Sequence, residues 1–185
     1  VKANNIITNN EIYDFSNDCR TYAPAINISG CGNTVSHNKI YDAPHMAIGI
    51  GGIYFTVEYN EIFDVCNDTA DSGALYGGQF IHLVNNKIRY NYFHDIKNKT
   101  GIGYSVSAVY FDDLWSSCDV YSNIFANVER AGHIGGGRRN IFEKNIFINC
   151  NQSVIVEQRG GSNSNFEDFR AYVNLYYSPY QSELW

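Results

Sequence analysis

Acidic side chains set against strand-forming runs are the first residues in this chain that could do chemistry. Asp112 and Asp113 close the run SAVYFDD (107–113), and Asp71 opens DSGALYGG (71–78). Successive side chains on a strand point to opposite faces, so with Val109 and Phe111 turned toward an interior, Tyr110 and Asp112 face outward. Two carboxylates flanking one glycosidic bond are what its hydrolysis needs: one carboxyl protonates the leaving oxygen, and the other attacks the sugar or activates water. A separation of about 5–5.5 Å would give retention of configuration, and one of about 6.5–9.5 Å inversion.

A repeat supplies the elements that must position these acids. The segments IITNNEIYD (6–14), TVSHNKIYD (34–42), TVEYNEIFD (56–64), KIRYNYFHD (87–95), DVYSNIFAN (119–127), IFEKNIFIN (141–149) and AYVNLYYS (171–178) share one template. In it an apolar residue is followed after two variable positions by Asn, then by a second apolar residue and usually by Asp or Asn. The shared asparagines are Asn10, Asn38, Asn60, Asn91, Asn123, Asn145 and Asn174. A unit this short and this rich in β-branched residues excludes propeller blades and helical repeats. The asparagines are expected to bond their counterparts in neighbouring coils, about 4.8 Å away, and to tolerate left-handed backbone.

A second recurring strand lies between these segments: PAINISG, MAIGIGG, GALYGG, AVYFDD, AGHIGGG and SVIVEQ. Aligned on the last apolar residue, Ile28, Ile50, Tyr76, Phe111, Ile134 and Val156 form one inward column, with period-two alternation on either side. The fold expected is all-β, a right-handed single-stranded parallel β-helix of about six to seven coils. Longer excursions are expected at 21–24, 67–72, 98–105 and 160–168.

This register gathers polar groups on one outward strip: His45, Asp71, Tyr110, Asp112, His133 and Glu157. Glycines leave space around them. Asp71 and Asp112, on adjacent coils, are the candidate catalytic pair. Asp113 falls at the turn, where it could orient Asp112, and Glu157 shares the column of Asp112 two coils on. Tyr110, with Trp115 beside it, is a candidate for stacking on a sugar face. His45 and His133, exposed by register, could bond hydroxyls, and Arg159 lies close enough to bind substrate. Oxygen ligands of the kind Ca²⁺ accepts are present, but without a ladder of acids at fixed spacing, and the histidines lack zinc spacing. The sequence calls for no metal and no cofactor.

Composition sets the bounds. The chain has 185 residues, 44% of them hydrophobic and 15% aromatic, enough for one domain (1–185) with a real core. Thirteen basic residues against 19 acidic ones give a net charge of −6 with no basic run, which excludes the footprint of a nucleic-acid binder. No apolar stretch is long enough to span a membrane as a helix. No signal peptide opens the sequence, and both ends fall mid-pattern without a polar cap, so the chain reads as an excerpt of a longer β-helix. The five cysteines form no CxxC pair and read as small buried fillers ahead of disulfides.

The repeated Asn turn, DSGALY at 71–76, VYFDD at 109–113 and HIGGG at 133–137 together resemble the carbohydrate-active β-helix proteins, most specifically glycoside hydrolase family 141, which contains α-L-fucosidase and xylanase activities. The resemblance implies a catalytic aspartate pair on neighbouring coils, here Asp71 and Asp112. It also implies a polysaccharide or oligosaccharide substrate and an extracellular or periplasmic location. Two other readings are a polysaccharide lyase, with Arg138, Arg139 and Arg159 neutralising a uronate, and a non-catalytic carbohydrate-binding or adhesin module.

Overall fold

Each repeat folds as two short strands bent around its asparagine, as in Thr34–Ser36 followed by Lys39–Tyr41. In a computed structural model of the chain, residues 4–79, 85–159 and 168–178 are described. Among them the first strands of the repeats hydrogen-bond coil to coil into one seven-stranded sheet, and the second strands into another. A third sheet takes Ile26–Ile28, Ile48–Ile50, Gly73–Gly78, Ser107–Asp112, Arg130–Gly135 and Gln152–Glu157. Every pairing is parallel. The result is a parallel β-helix with six full coils and the first two strands of a seventh. Excursions lie between strands at 21–24, 67–72 and 98–105; the expected one at 160–168 falls, apart from Asp168, outside the described residues.

An unbroken asparagine ladder stitches the coils together. Asn60 donates its backbone N–H and its side-chain Nδ2 to Asn91 Oδ1, at 3.0 and 2.9 Å. Asn91 does the same to Asn123, at 3.0 Å for both. The pattern runs from Asn10 to Asn174. The left-handed residue is not the ladder asparagine, as expected, but its predecessor: Asn9, His37, Tyr59, Tyr90, Ser122, Lys144 and Val173 all have φ between 53° and 59°. A second left-handed position holds Asp14, Asp42, Asp64, Asp95, Asn127 and Asn149, residue types that adopt this conformation more readily than any but glycine. The ladder residue keeps negative φ while its amide spans the coils.

A shorter asparagine series sits five residues earlier. Asn5 bonds Asn33, Asn86 accepts from the Phe55 amide, and Asn140 accepts from the Cys118 amide. Between the sheets lies a core of stacked like residues. Val35, Val57, Ile88, Val120 and Phe142 line the first sheet, and Ile40, Ile62, Phe93, Phe125 and Phe147 the second. Phe93, Phe125 and Phe147 stack at 5.2 and 5.3 Å with planes within 10°. Each such side chain contributes roughly 1.5–3 kcal/mol by burial.

One strand departs from the expected register. Leu75 pairs with Ile48 and Val109, and Tyr76 with Gly49 and Tyr110, so Tyr76 points outward and Gly77 takes the inward place opposite Phe111. Trp115 explains the shift. Its indole is fully buried beside Phe55 and Phe111, and a Cβ at Gly77 would lie 2.5 Å from Trp115 Cζ3 and 2.8 Å from Ile50 Cγ1. The indole occupies the space a side chain at 77 would need. Trp115 is therefore core, not a sugar-stacking surface.

Candidate functional site

The outer face of the third sheet carries two polar columns side by side. One holds Gly49, Tyr76, Tyr110 and His133; the other holds Gly78, Asp112, Gly135 and Glu157. Arg159, just past the strand Gln152–Glu157, reaches back across them. Its Nη1 donates to Asp112 Oδ1 at 2.7 Å and lies 3.6 Å from Asp113 Oδ1. Its Nη2 donates to the Tyr110 hydroxyl at 3.1 Å and to Glu157 Oε2 at 3.2 Å. The crossing depends on Gly135, where a Cβ would stand 3.1 Å from Asp112 Oδ1 and 3.4 Å from Arg159 Cδ.

Asp112 collects three donors. Besides Arg159, the Asp113 backbone N–H donates to Oδ1 at 2.9 Å, and the Tyr76 hydroxyl to Oδ2 at 3.1 Å. Asp113 thus orients Asp112 through its amide, as expected for a turn residue, with φ 41°. Asp71, exposed and left-handed at φ 50°, accepts the Tyr110 hydroxyl at 3.2 Å. The two candidate catalytic carboxylates are therefore joined through Tyr110 and Arg159 on one face of the helix.

Several residues placed on the strip by register are less accessible than expected. Tyr110 is 1% exposed. His133 stacks on it at 4.2 Å with planes 7° apart, and Tyr76 meets it edge-on at 5.4 Å. It cannot stack on a sugar; it bonds the two halves of the site. His133 is 3% exposed, with Nε2 3.2 Å from Glu157 Oε2 but off the line of a hydrogen bond. His45, 4% exposed, is covered by the tilted Tyr22 ring and accepts the Tyr22 amide N–H at 3.4 Å. Pointing outward on a strand is not exposure when a neighbouring side chain lies across it. Tyr76, placed inward by the sequence alignment, is the site residue that reasoning missed.

The electrostatics follow from this packing. Burial, reinforced by the charges of Asp112 and Asp71, pushes the Tyr110 hydroxyl well above its usual range, and burial with Asp112 does the same to Tyr76. Burial lowers His133 and His45 below 6.5. For Glu157 burial pulls upward, but His133 and Arg159 outweigh it and the net shift is down. The Arg159 guanidinium sits among Asp112, Asp113 and Glu157, where a cation would otherwise be needed. Among the described residues no three His, Cys, Asp or Glu side chains are grouped to hold a metal.

All five cysteines are free thiols, but only Cys66 and Cys118 are the buried fillers expected of them, since Cys19 is exposed and Cys31 and Cys150 are half-buried; desolvation pushes Cys66 up to about 12. Of the arginines considered beside Arg159, Arg139 does not join the cluster but lines a groove on the first sheet. No helix among the described residues is long and apolar enough to cross a membrane. No family model matches this chain, and neither does any curated protein or solved structure.

Proposed function

We propose that these coils form the catalytic face of a glycoside hydrolase acting on a plant or microbial glycan, with Asp71 and Asp112 as the working carboxylates. The observation that carries this reading is the link Asp71–Tyr110–Arg159–Asp112, which ties two acids from adjacent coils into one face, Asp71 exposed and Asp112 largely covered by Arg159. Their surroundings differ. Asp112 receives a guanidinium, an amide and a phenol, which favour its ionised form and suit the nucleophile or general base. The role of proton donor then falls to Asp71 by elimination.

Tyr76, Tyr110, His133, Glu157, Asp113 and Arg159 then act as positioning residues. The likeness of the motifs to glycoside hydrolase family 141, and secretion of the protein toward an extracellular or periplasmic glycan, belong to the same proposal. The lyase reading is weaker, because Arg159 is committed to Asp112 and Glu157, and Tyr110 is buried with its hydroxyl pushed up, unsuited to serve as the base.

The test is release of reducing ends from a panel of plant and microbial polysaccharides and aryl glycosides. Asp71→Asn and Asp112→Asn should each remove activity while the far-ultraviolet circular dichroism stays that of the wild type. Full activity in either variant sinks the assignment, and products absorbing as unsaturated uronates would replace hydrolysis with elimination. Glycan binding that survives both substitutions, with no turnover by the wild type, would identify a binding module instead.

A further inference from the structure

A second constellation lies on the first sheet, across the turn from the Arg159 cluster. Four successive coils enter this sheet through a left-handed residue: Asn85, Ser117, Arg139 and Asp168, with φ between 51° and 58°. Two positions later comes the outward column Lys87, Asp119, Ile141 and Arg170. The two rows, Lys87 excepted, bound a groove of about 270 Å³. That is slightly below the ~300 Å³ at which drug-sized pockets begin, and it suits one sugar ring.

The groups in this groove are unsatisfied in a complementary way. Arg139 is exposed, and neither its side chain nor that of the half-buried Asp119 makes an ion pair or hydrogen bond among the described residues. They sense one another, since burial raises the Asp119 carboxyl while Lys87 and Arg139 draw it down and Glu143 pushes it up. They nevertheless stand apart by more than ion-pair distance. Arg170 is already held by Asp168 at 2.7 Å. What fits between Arg139 and Asp119 is a ligand with an anionic group at one end and hydroxyl donors at the other. The same left-handed row holds Asn4, Gly32 and Tyr54 in the first three coils, where they line a second depression of about 260 Å³, so the row offers two seats along the axis.

We propose that the groove between Arg139 and Asp119 is a glycan subsite for an acidic sugar, a hexuronate unit whose carboxylate pairs with Arg139 and whose hydroxyls donate to Asp119. Asn85 and Ser117 supply further polar contacts to the ring. The site binds whether or not Asp71 and Asp112 cleave a glycosidic bond, so its failure and theirs are separable.

The experiment is calorimetric titration of the whole chain with trigalacturonate, galactotriose and sodium sulfate, repeated with Arg139→Gln and with the surface control Lys39→Gln. Saturable binding of trigalacturonate, at least tenfold weaker in Arg139→Gln and unchanged in Lys39→Gln, supports the subsite. Absence of trigalacturonate binding overturns it. So does equal affinity for galactotriose, which would remove the role of charge, or equal affinity for sulfate, which would reduce the groove to a simple anion site. Unaltered binding by Arg139→Gln would place the uronate elsewhere.

Discussion

Replacing Asn91 by Ala should cost far more than its surface chemistry suggests. Asn91 is 1% exposed. Its Oδ1 accepts the Asn60 backbone N–H at 3.0 Å and Asn60 Nδ2 at 2.9 Å, and its Nδ2 donates to the Val57 carbonyl and to Asn123 Oδ1, each at 3.0 Å. In Asn91→Ala the Asn60 Nδ2 keeps its bond to the Val35 carbonyl, and Asn123 Oδ1 keeps the Asn91 amide. The Asn60 backbone N–H loses its partner inside the turn. An orphaned buried donor costs about 1–3 kcal/mol and each of the three further bonds lost about 0.5–1.5 kcal/mol, which together come to about 2.5–7.5 kcal/mol. That is a large share of the ~5–15 kcal/mol that holds an ordinary domain together.

The comparison is Asn10→Ala at the first rung, where Asn10 is exposed and its side chain only donates; its loss should be about 1 kcal/mol. Asn91→Asp should be no milder than Asn91→Ala, because its second oxygen would face the Val57 carbonyl and Asn123 Oδ1 without a proton to offer. Urea unfolding followed by far-ultraviolet circular dichroism, with the slope compared across variants, measures all three. If Asn91→Ala falls within about 1 kcal/mol of Asn10→Ala, the ladder is not what holds the turns and the reasoning fails.

Three further outcomes are expected. Gly77→Ala should cost about 1–3 kcal/mol through overpacking against Trp115, read as a lower urea midpoint with a changed tryptophan emission; an unchanged midpoint would remove the account of the register shift. The Asp119 carboxyl is raised in the folded chain, so its ionisation works against folding as pH climbs above the unfolded value near 3.8; Asp119→Asn should therefore gain melting temperature over wild type between pH 3 and 7, and a constant difference would contradict it. His133 is lowered by burial, so its contribution is full above 6.5 and is lost as pH falls through the folded value. His133→Phe, which keeps a ring against Tyr110, should flatten part of the melting-temperature loss between pH 7 and 5, the rest belonging to His45; an identical slope would refute the assignment.

The fold was legible because its two strongest signals are periodic and local. An Asn with apolar residues at fixed offsets recurs in each coil, and strand alternation assigns faces from the sequence alone. The outward face of Asp112, on the strand Ser107–Asp112, was legible for the same reason; the place of Asp71, in the excursion before its strand, was not fixed by alternation. Tyr76 was not, since GALYGG offers two places for its inward residue and the choice is made by Trp115, almost forty positions later. Burial of Tyr110 and His133 was hidden likewise, because their cover involves Arg159 from a later coil and no strand pattern reports what crosses it. The shorter asparagine series escaped notice because Phe55, Cys118 and Phe169 interrupt its column. Arg139 and Asp119 belong to separate segments, and only the stacking of coils brings them to one groove.

The link around the ladder asparagine is always two residues long, from Thr8 to Glu11 in the first coil through Tyr172 to Leu175 in the last. All variation in coil length is taken up elsewhere, in excursions leading into and out of the third sheet. The frame and its excursions are thus structurally separate. Lengthening or trimming an excursion beside Asp71 leaves every rung of the ladder in place, so the surface around Asp71 can change shape while the scaffold stands still.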